Sequence, residues 1–116
     1  MAQLQMYNAI ANSPMTTLTK AIGISDTTIE VVDSSVFPTS PNLLVLGYDK
    51  SDAETCLYTQ IVGNVITVQR EIEGTAKSFD IGTKTARLFT AKDYNSLVSN
   101  IKDLSNSQIA MSIALG

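Results

Sequence analysis

The chain has no histidine and no tryptophan, one cysteine and three prolines in 116 residues. Without histidine it lacks the commonest general base, the Ser-His and Cys-His nucleophile pairs, and most zinc and iron sites. Lysine- and carboxylate-based catalysis is what remains. A lone Cys56 excludes an intrachain disulfide and thiolate metal clusters. Within an apolar-alternating run it reads as a small core residue. No stretch reaches the roughly 18 apolar residues of a membrane-spanning helix. The start, MAQLQMYNAIANSP, has neither a basic opening nor a continuous apolar run, so it does not read as a signal peptide. Charge is scarce too, at 16% with a net −3, where about a quarter charged residues is usual. There is no broad basic field, and neither nucleic acid nor a membrane is expected as a partner. No cofactor is expected.

What is present is a 44% hydrophobic chain rich in Thr, Ser and Asn. That composition suggests β-structure and surface covered by neighbours in an assembly, and the length suits one small domain with an appendage. Three regions separate. Residues 1–19 form a polar-apolar arm containing Pro14, residues 20–89 are strand-rich, and residues 90–116 read as a helix.

In DTTIEVVDSSVFP, Thr27, Ile29 and Val31 share one side of a strand and Thr28, Glu30 and Val32 the other. Asp33, Ser34 and Ser35 are turn formers, and Val36 and Phe37 form an apolar plug before Pro38 ends the ladder. NLLVLGY, between Pro41 and Gly47, reads as a buried strand. In ETCLYTQIVGNVITVQREI, Gly63-Asn64 fits a two-residue primed turn. This register pairs Val62 with Val65, Ile61 with Ile66, Thr59 with Val68 and Leu57 with Arg70. It puts Leu57, Ile61, Ile66 and Val68 on the core side. TARLF is a last short strand. About five short strands punctuated by Pro and Gly argue for a mainly β fold, a small barrel or sandwich.

The period then changes. Thr90 followed by Asp93 resembles a capping box. Tyr94, Leu97, Ile101, Leu104, Gln108, Met111 and Leu115 recur at alternating spacings of three and four, an a/d seam of about three heptads. Its flanks, including Val98, Asn100, Ser105, Ser107, Ser112 and Ala114, lack the charges that set partner choice in dimers. Either the helix folds back on its own β-domain or it forms a parallel trimeric coiled coil, with Gln108 as a polar layer. A small barrel covers only part of so long a stripe.

The stretch QREIEGTAKSFDIGT (69–83) holds the ingredients of a phosphate cradle, but Gly74-Thr75-Ala76-Lys77 lacks the Walker spacing and leads into no helix. Gly74 and Gly82 read as positive-φ turn positions, with Thr75 and Thr83 bonding nearby backbone. Arg70, near Glu71, Glu73 and Asp80, reads as a structural clamp that ties this loop through carboxylate or carbonyl bonds. Glu71 and Glu73, two apart, share one face of a continuing strand and are the pair an acid/base enzyme would use; no companion group supports that use. DKSDAE (Asp49, Ser51, Asp52, Glu54) superficially resembles a calcium loop but lacks its glycine and terminal Glu. Tyr48, Tyr58, Tyr94, Phe37, Phe79 and Phe89 do not cluster as a sugar-binding platform would, and read as core or subunit packing.

Taken in order, YNAIANSPMTTLTKAI, TTIEVVDSSVFP, PNLLVLG and DAETCLYTQIVGNVITVQREIEGTAKSFDIGTKTARLFTAKDYNSLVSNIKDL resemble a module at the N-terminal end of head-fibre and tail-fibre proteins of tailed bacteriophages. The resemblance runs from about Tyr7 to Leu104. Its most specific part is Arg70, Gly74, Thr75, Ala76, Gly82 and Thr83, with Phe79 matching an aromatic between the two glycines and FTAKDYN opening the helix. The resemblance implies a non-enzymatic attachment base on the virion, whose helix starts a trimeric shaft. The arm would then lie on capsid or tail proteins or on neighbouring subunits, and an ending such as MSIALG would suit a piece of a longer fibre. The alternative is a module of a tail fibre or baseplate that binds a host-surface glycan or protein.

Overall fold

The computed structural model describes the backbone of residues 3–115 and the side chains of residues 3–105. Two compact units emerge, one made of residues 7–88 and one of residues 1–6 with 89–116.

The first unit is an antiparallel sheet of six strands: β1 (Met15–Thr17), β2 (Thr28–Glu30), β3 (Asn42–Leu46), β4 (Glu54–Val62), β5 (Val65–Glu73) and β6 (Lys84–Ala86). Their spatial order is β1-β6-β3-β4-β5-β2. The sheet curls into a half-barrel until its two outer strands approach. There Leu18 bridges Val31, and the N–H groups of Thr19 and Val32 bond to Glu30 and Thr17 carbonyls at 2.9 and 3.0 Å. Curling of this kind shields strand edges that would otherwise template aggregation. The core is built from the concave faces, with Leu44, Leu46, Ile29, Val31 and Ile66 all at or below 1% exposure. Strand β3 is buried along its whole length, which explains why its sequence is a continuous apolar run and not an alternation. On β2 the alternation holds: Ile29 and Val31 are buried, while Val32 is 61% exposed.

The β4–β5 hairpin turns at Gly63-Asn64, with Gly63 at φ +60°, and pairs Val62 with Val65 and Ile61 with Ile66. Its tip is tied down. The Asn64 carbonyl accepts from Val31 N–H at 3.0 Å, and its side-chain oxygen accepts from Ser34 N–H at 2.9 Å. Beyond the first pairs the register departs from the simple alternation. Gln60 faces Thr67 and Tyr58, not Thr59, faces Val68; Leu57 lies opposite Gln69, not Arg70. Thr59 is the extra residue of a β-bulge, and one extra residue exchanges the two faces of everything beyond it. Cys56 and Tyr58 therefore take the core positions beside Ile66 and Val68, all four at 3% exposure or less, whereas Leu57 is only half-buried. The tyrosine suits that place. Its ring sits 5.6 Å from that of Phe37, and its hydroxyl donates to the Pro38 carbonyl at 2.6 Å, so no polar atom is stranded.

The second unit is dominated by α1 (Ala91–Leu115). Thr90 and Asp93 cap its start reciprocally: Thr90 N–H donates to Asp93 Oδ2 at 2.9 Å and Asp93 N–H to Thr90 Oγ1 at 3.1 Å. The shorter Asp thus does the work usually given to Glu in this motif.

Candidate functional site

The first residue of β4, Glu54, is fully buried as a side chain, and it faces Arg70 of β5, whose side chain is 8% exposed. Two parallel bonds join them: Arg70 Nε to Glu54 Oε2 at 3.0 Å and Nη2 to Oε1 at 2.8 Å. The remaining donors go to backbone. Nη1 reaches the carbonyls of Gly23 at 2.9 Å, Ile24 at 3.2 Å and Asp26 at 2.9 Å, and Nη2 reaches Lys77 O at 2.8 Å. One guanidinium thus joins three segments: the β1–β2 connection, the start of β4 and the loop after β5. An arginine with every donor engaged has none left for a substrate, unless the framework is given up.

The carboxylate is equally committed. Glu54 Oε2 also accepts the Glu71 N–H at 2.9 Å and lies 3.6 Å from Cys56 Sγ. Glu71 has φ +61°, where β5 carries two more residues than β4 between the Thr55–Glu73 and Leu57–Gln69 pairs. The Glu54 carboxylate fills the gap that this irregularity opens in the ladder. Burial alone would raise the Glu54 carboxyl, but the Arg70 fork and the Glu71 N–H outweigh it and hold its pKa below the ordinary value. The same burial, reinforced by the Glu54 charge, pushes the Cys56 thiol up to about 12, so the thiol is held in its unreactive protonated form.

The loop 74–83 is stitched down around this pair. A Cβ on Gly74, at φ +79°, would stand 2.8 Å from the Ala53 carbonyl oxygen; only glycine fits. Phe79, buried at 4%, exchanges two backbone bonds with Ile22, at 2.9 and 3.0 Å. The turn that follows is held by Thr83 Oγ1 donating to Asp80 O at 2.7 Å and by Gly82 N–H donating to Leu18 O at 2.9 Å. Gly82 itself has φ +87° with open space beside it, so there only the backbone conformation asks for glycine. Thr75 is exposed and takes no part. Lys77 forms an ion pair with Asp52 and lies 4.9 Å above the Phe79 ring.

Of the residues singled out in the sequence, Arg70, Gly74, Gly82 and Thr83 therefore meet in one framework. The carboxylate they converge on is Glu54, not Glu71, Glu73 or Asp80. The sequence places Glu54 in the acidic loop DKSDAE, but its carboxylate turns into Arg70 and accepts from the guanidinium and from the Glu71 N–H. The positive φ at Glu71 also breaks the strand period that would have put Glu71 and Glu73 on one face. Among the described residues, no three His, Cys, Asp or Glu side chains gather as a metal site requires, and no helix is long and apolar enough to cross a membrane. Phe37, Tyr58 and Phe79 are core residues, while Phe89 and Tyr94 are 68 and 56% exposed.

A second guanidinium, with no motif around it in the sequence, is also buried. Arg87, just past β6, is 2% exposed and donates to the carbonyls of Leu88 at 2.6 Å, Asn8 at 3.1 Å and Tyr7 at 3.1 Å. Asn42 Nδ2 also donates to Asn8 O, at 2.8 Å. The residues just after the arm's start are thus fixed to the β-unit. The available signal was a lone cation inside the apolar run Ala86-Arg87-Leu88-Phe89.

On α1, Tyr94, Leu97, Ile101 and Leu104 are 56, 39, 54 and 57% exposed, while Asp93, Ser96 and Asn100 are buried. Gln108, Met111 and Leu115, which continue the seam, lie outside the described side chains. No protein-family model matches the chain, and comparison with curated proteins gives no match either.

Proposed function

We propose that this chain is a structural, non-enzymatic component of a tailed-phage particle. In this reading the β-unit is the base of a fibre, a head fibre in preference to a tail fibre, and α1 opens a three-stranded shaft. The observation that carries it is the inverted amphipathy of α1. A helix that belonged to a self-contained monomer would bury its apolar stripe and expose its polar one. Here Ile101 and Leu104 are more than half exposed, while Asp93 and Asn100 are buried. An exposed a/d stripe with heptad spacing is covered by copies of itself, and the uncharged flanks favour a symmetric homotrimer over a charge-selected pair.

The resemblance to fibre bases supports the same reading, as does the framework character of the Glu54–Arg70 pair. Docking onto a capsid or tail protein falls to the exposed part of the arm. Residues 9–12 are exposed or half-buried and end in a turn with Asn12 and Ser13 at φ +65° and +42°. Electron cryo-microscopy of particles carrying the chain tests this. The expected result is threefold density for the β-unit at the root of a fibre; single copies of the β-unit, or copies away from any fibre, overturn the reading.

A further inference from the structure

The arm's first described residues do not hang free. The Asn100 carboxamide bonds to Leu4 in both directions, as a residue on a neighbouring strand would: Leu4 N–H donates to Oδ1 at 2.8 Å, and Nδ2 donates to Leu4 O at 3.1 Å. Gln3 Nε2 adds bonds to Asp103 Oδ2 at 2.9 Å and to Asn100 O at 3.4 Å. The helix thus fixes this backbone while leaving the side chains of Leu4 and Met6 51% and 38% exposed. The heptad says which flank this is. With Tyr94 and Ile101 at a and Leu97 and Leu104 at d, Asn100 is a g residue and Asp103 a c residue. The arm therefore lies directly beside the exposed seam.

We propose that Gln3–Met6 forms part of the interface between copies of this chain, with Leu4 and Met6 packing on the e flank of the neighbouring helix. In a parallel coiled coil the g flank of one helix meets the e flank of the next, where paired charges normally sit. Among the described side chains the e residues are Ala91, Val98 and Ser105 and the g residues Asp93 and Asn100. Asp93 caps Thr90, Asn100 holds the arm, and no e residue is charged, so no ion pair across the g and e flanks occupies that place. The arm fills it with apolar surface continuous with the seam. The inference rests on the homotrimer reading above and assigns the partner surface that sets its tightness.

Sedimentation equilibrium on the full chain tests it with three proteins: the unaltered chain, a Leu4→Ser/Met6→Ser double variant, and Asn100→Ala, which removes both bonds to Leu4. Because Leu4 and Met6 are exposed, the double variant keeps the circular dichroism and melting of the β-unit. Both variants are expected to dissociate at concentrations higher by at least about tenfold, the equivalent of losing modest apolar contacts in each copy. Variants that stay as tightly trimeric as the unaltered chain overturn the role of the arm and leave the trimer standing. An unaltered chain that is monomeric throughout overturns the trimer, and this inference with it.

Discussion

Arg70 carries six hydrogen bonds to groups that are otherwise distant in the chain, and its buried partner Glu54 is held by four donors. Removing one member leaves the other as an uncompensated buried charge, a loss of about 3–5 kcal/mol. Arg70→Ala is therefore expected to lower stability by that amount in denaturant titrations. Lys77→Ala, which loses a surface ion pair, should change it by less than about 1 kcal/mol. An Arg70→Ala protein as stable as the parent would contradict the clamp. The pair also fixes a pH dependence. The folded pKa of Glu54 lies below its unfolded value, so its contribution is complete above the unfolded value of about 4.3 and is lost as pH falls through the folded one. Glu54→Gln should be less stable at neutral pH, with a shallower loss of stability on acidification. Arg70 was recognisable in the sequence as a clamp because an arginine among turn residues has few other uses. Glu54 was not, because it lies sixteen residues away on another strand and only the register brings the two together. Arg87 was hidden for a similar reason: the partners described for it are carbonyls, which no sequence displays.

At the scale of elements, what could be read were the features set by local chemistry. The Gly63-Asn64 turn, the Thr90–Asp93 cap and the uninterrupted apolar strand β3 depend on neighbours within a few residues, and each forms where its sequence places it. The faces of β4 could not be read past Thr59, because a bulge there costs one residue and leaves no compositional mark. The two loop glycines, alike in sequence, separate in the same way. Gly74→Ala would drive a methyl into the Ala53 carbonyl, whereas Gly82→Ala meets open space and bears only the strain of its positive φ, about 1–2 kcal/mol. Thermal melts should show Gly74→Ala as clearly the more damaging of the two. Equal effects would mean that the Ala53 contact yields easily.

For the whole molecule, the β-unit explains its own stability and α1 does not. A continuous core and the buried Glu54–Arg70 pair account for residues 7–88, although the Thr85 hydroxyl is buried without a partner among the described residues. Among the described side chains, the helix leaves Tyr94, Leu97, Ile101 and Leu104 exposed, and the proposed trimer would cover them. Ile101→Ser/Leu104→Ser should release monomers while leaving the β-unit folded, as followed by mass and by the melting of the sheet. Variants that remain trimeric would mean that the seam is not the interface. The heptad was visible in the sequence because a period of three and four survives in any structure that keeps the helix. That Asn100 is buried was not visible, since it depends on the bonds its side chain makes to Leu4, far away in the sequence.

The most direct test is the mass of the intact chain in solution, measured by sedimentation equilibrium over a wide concentration range. A base for a three-stranded shaft is expected to approach three times the 12.5 kDa of the single chain as concentration rises. A mass that stays at that of one chain at every concentration would contradict it.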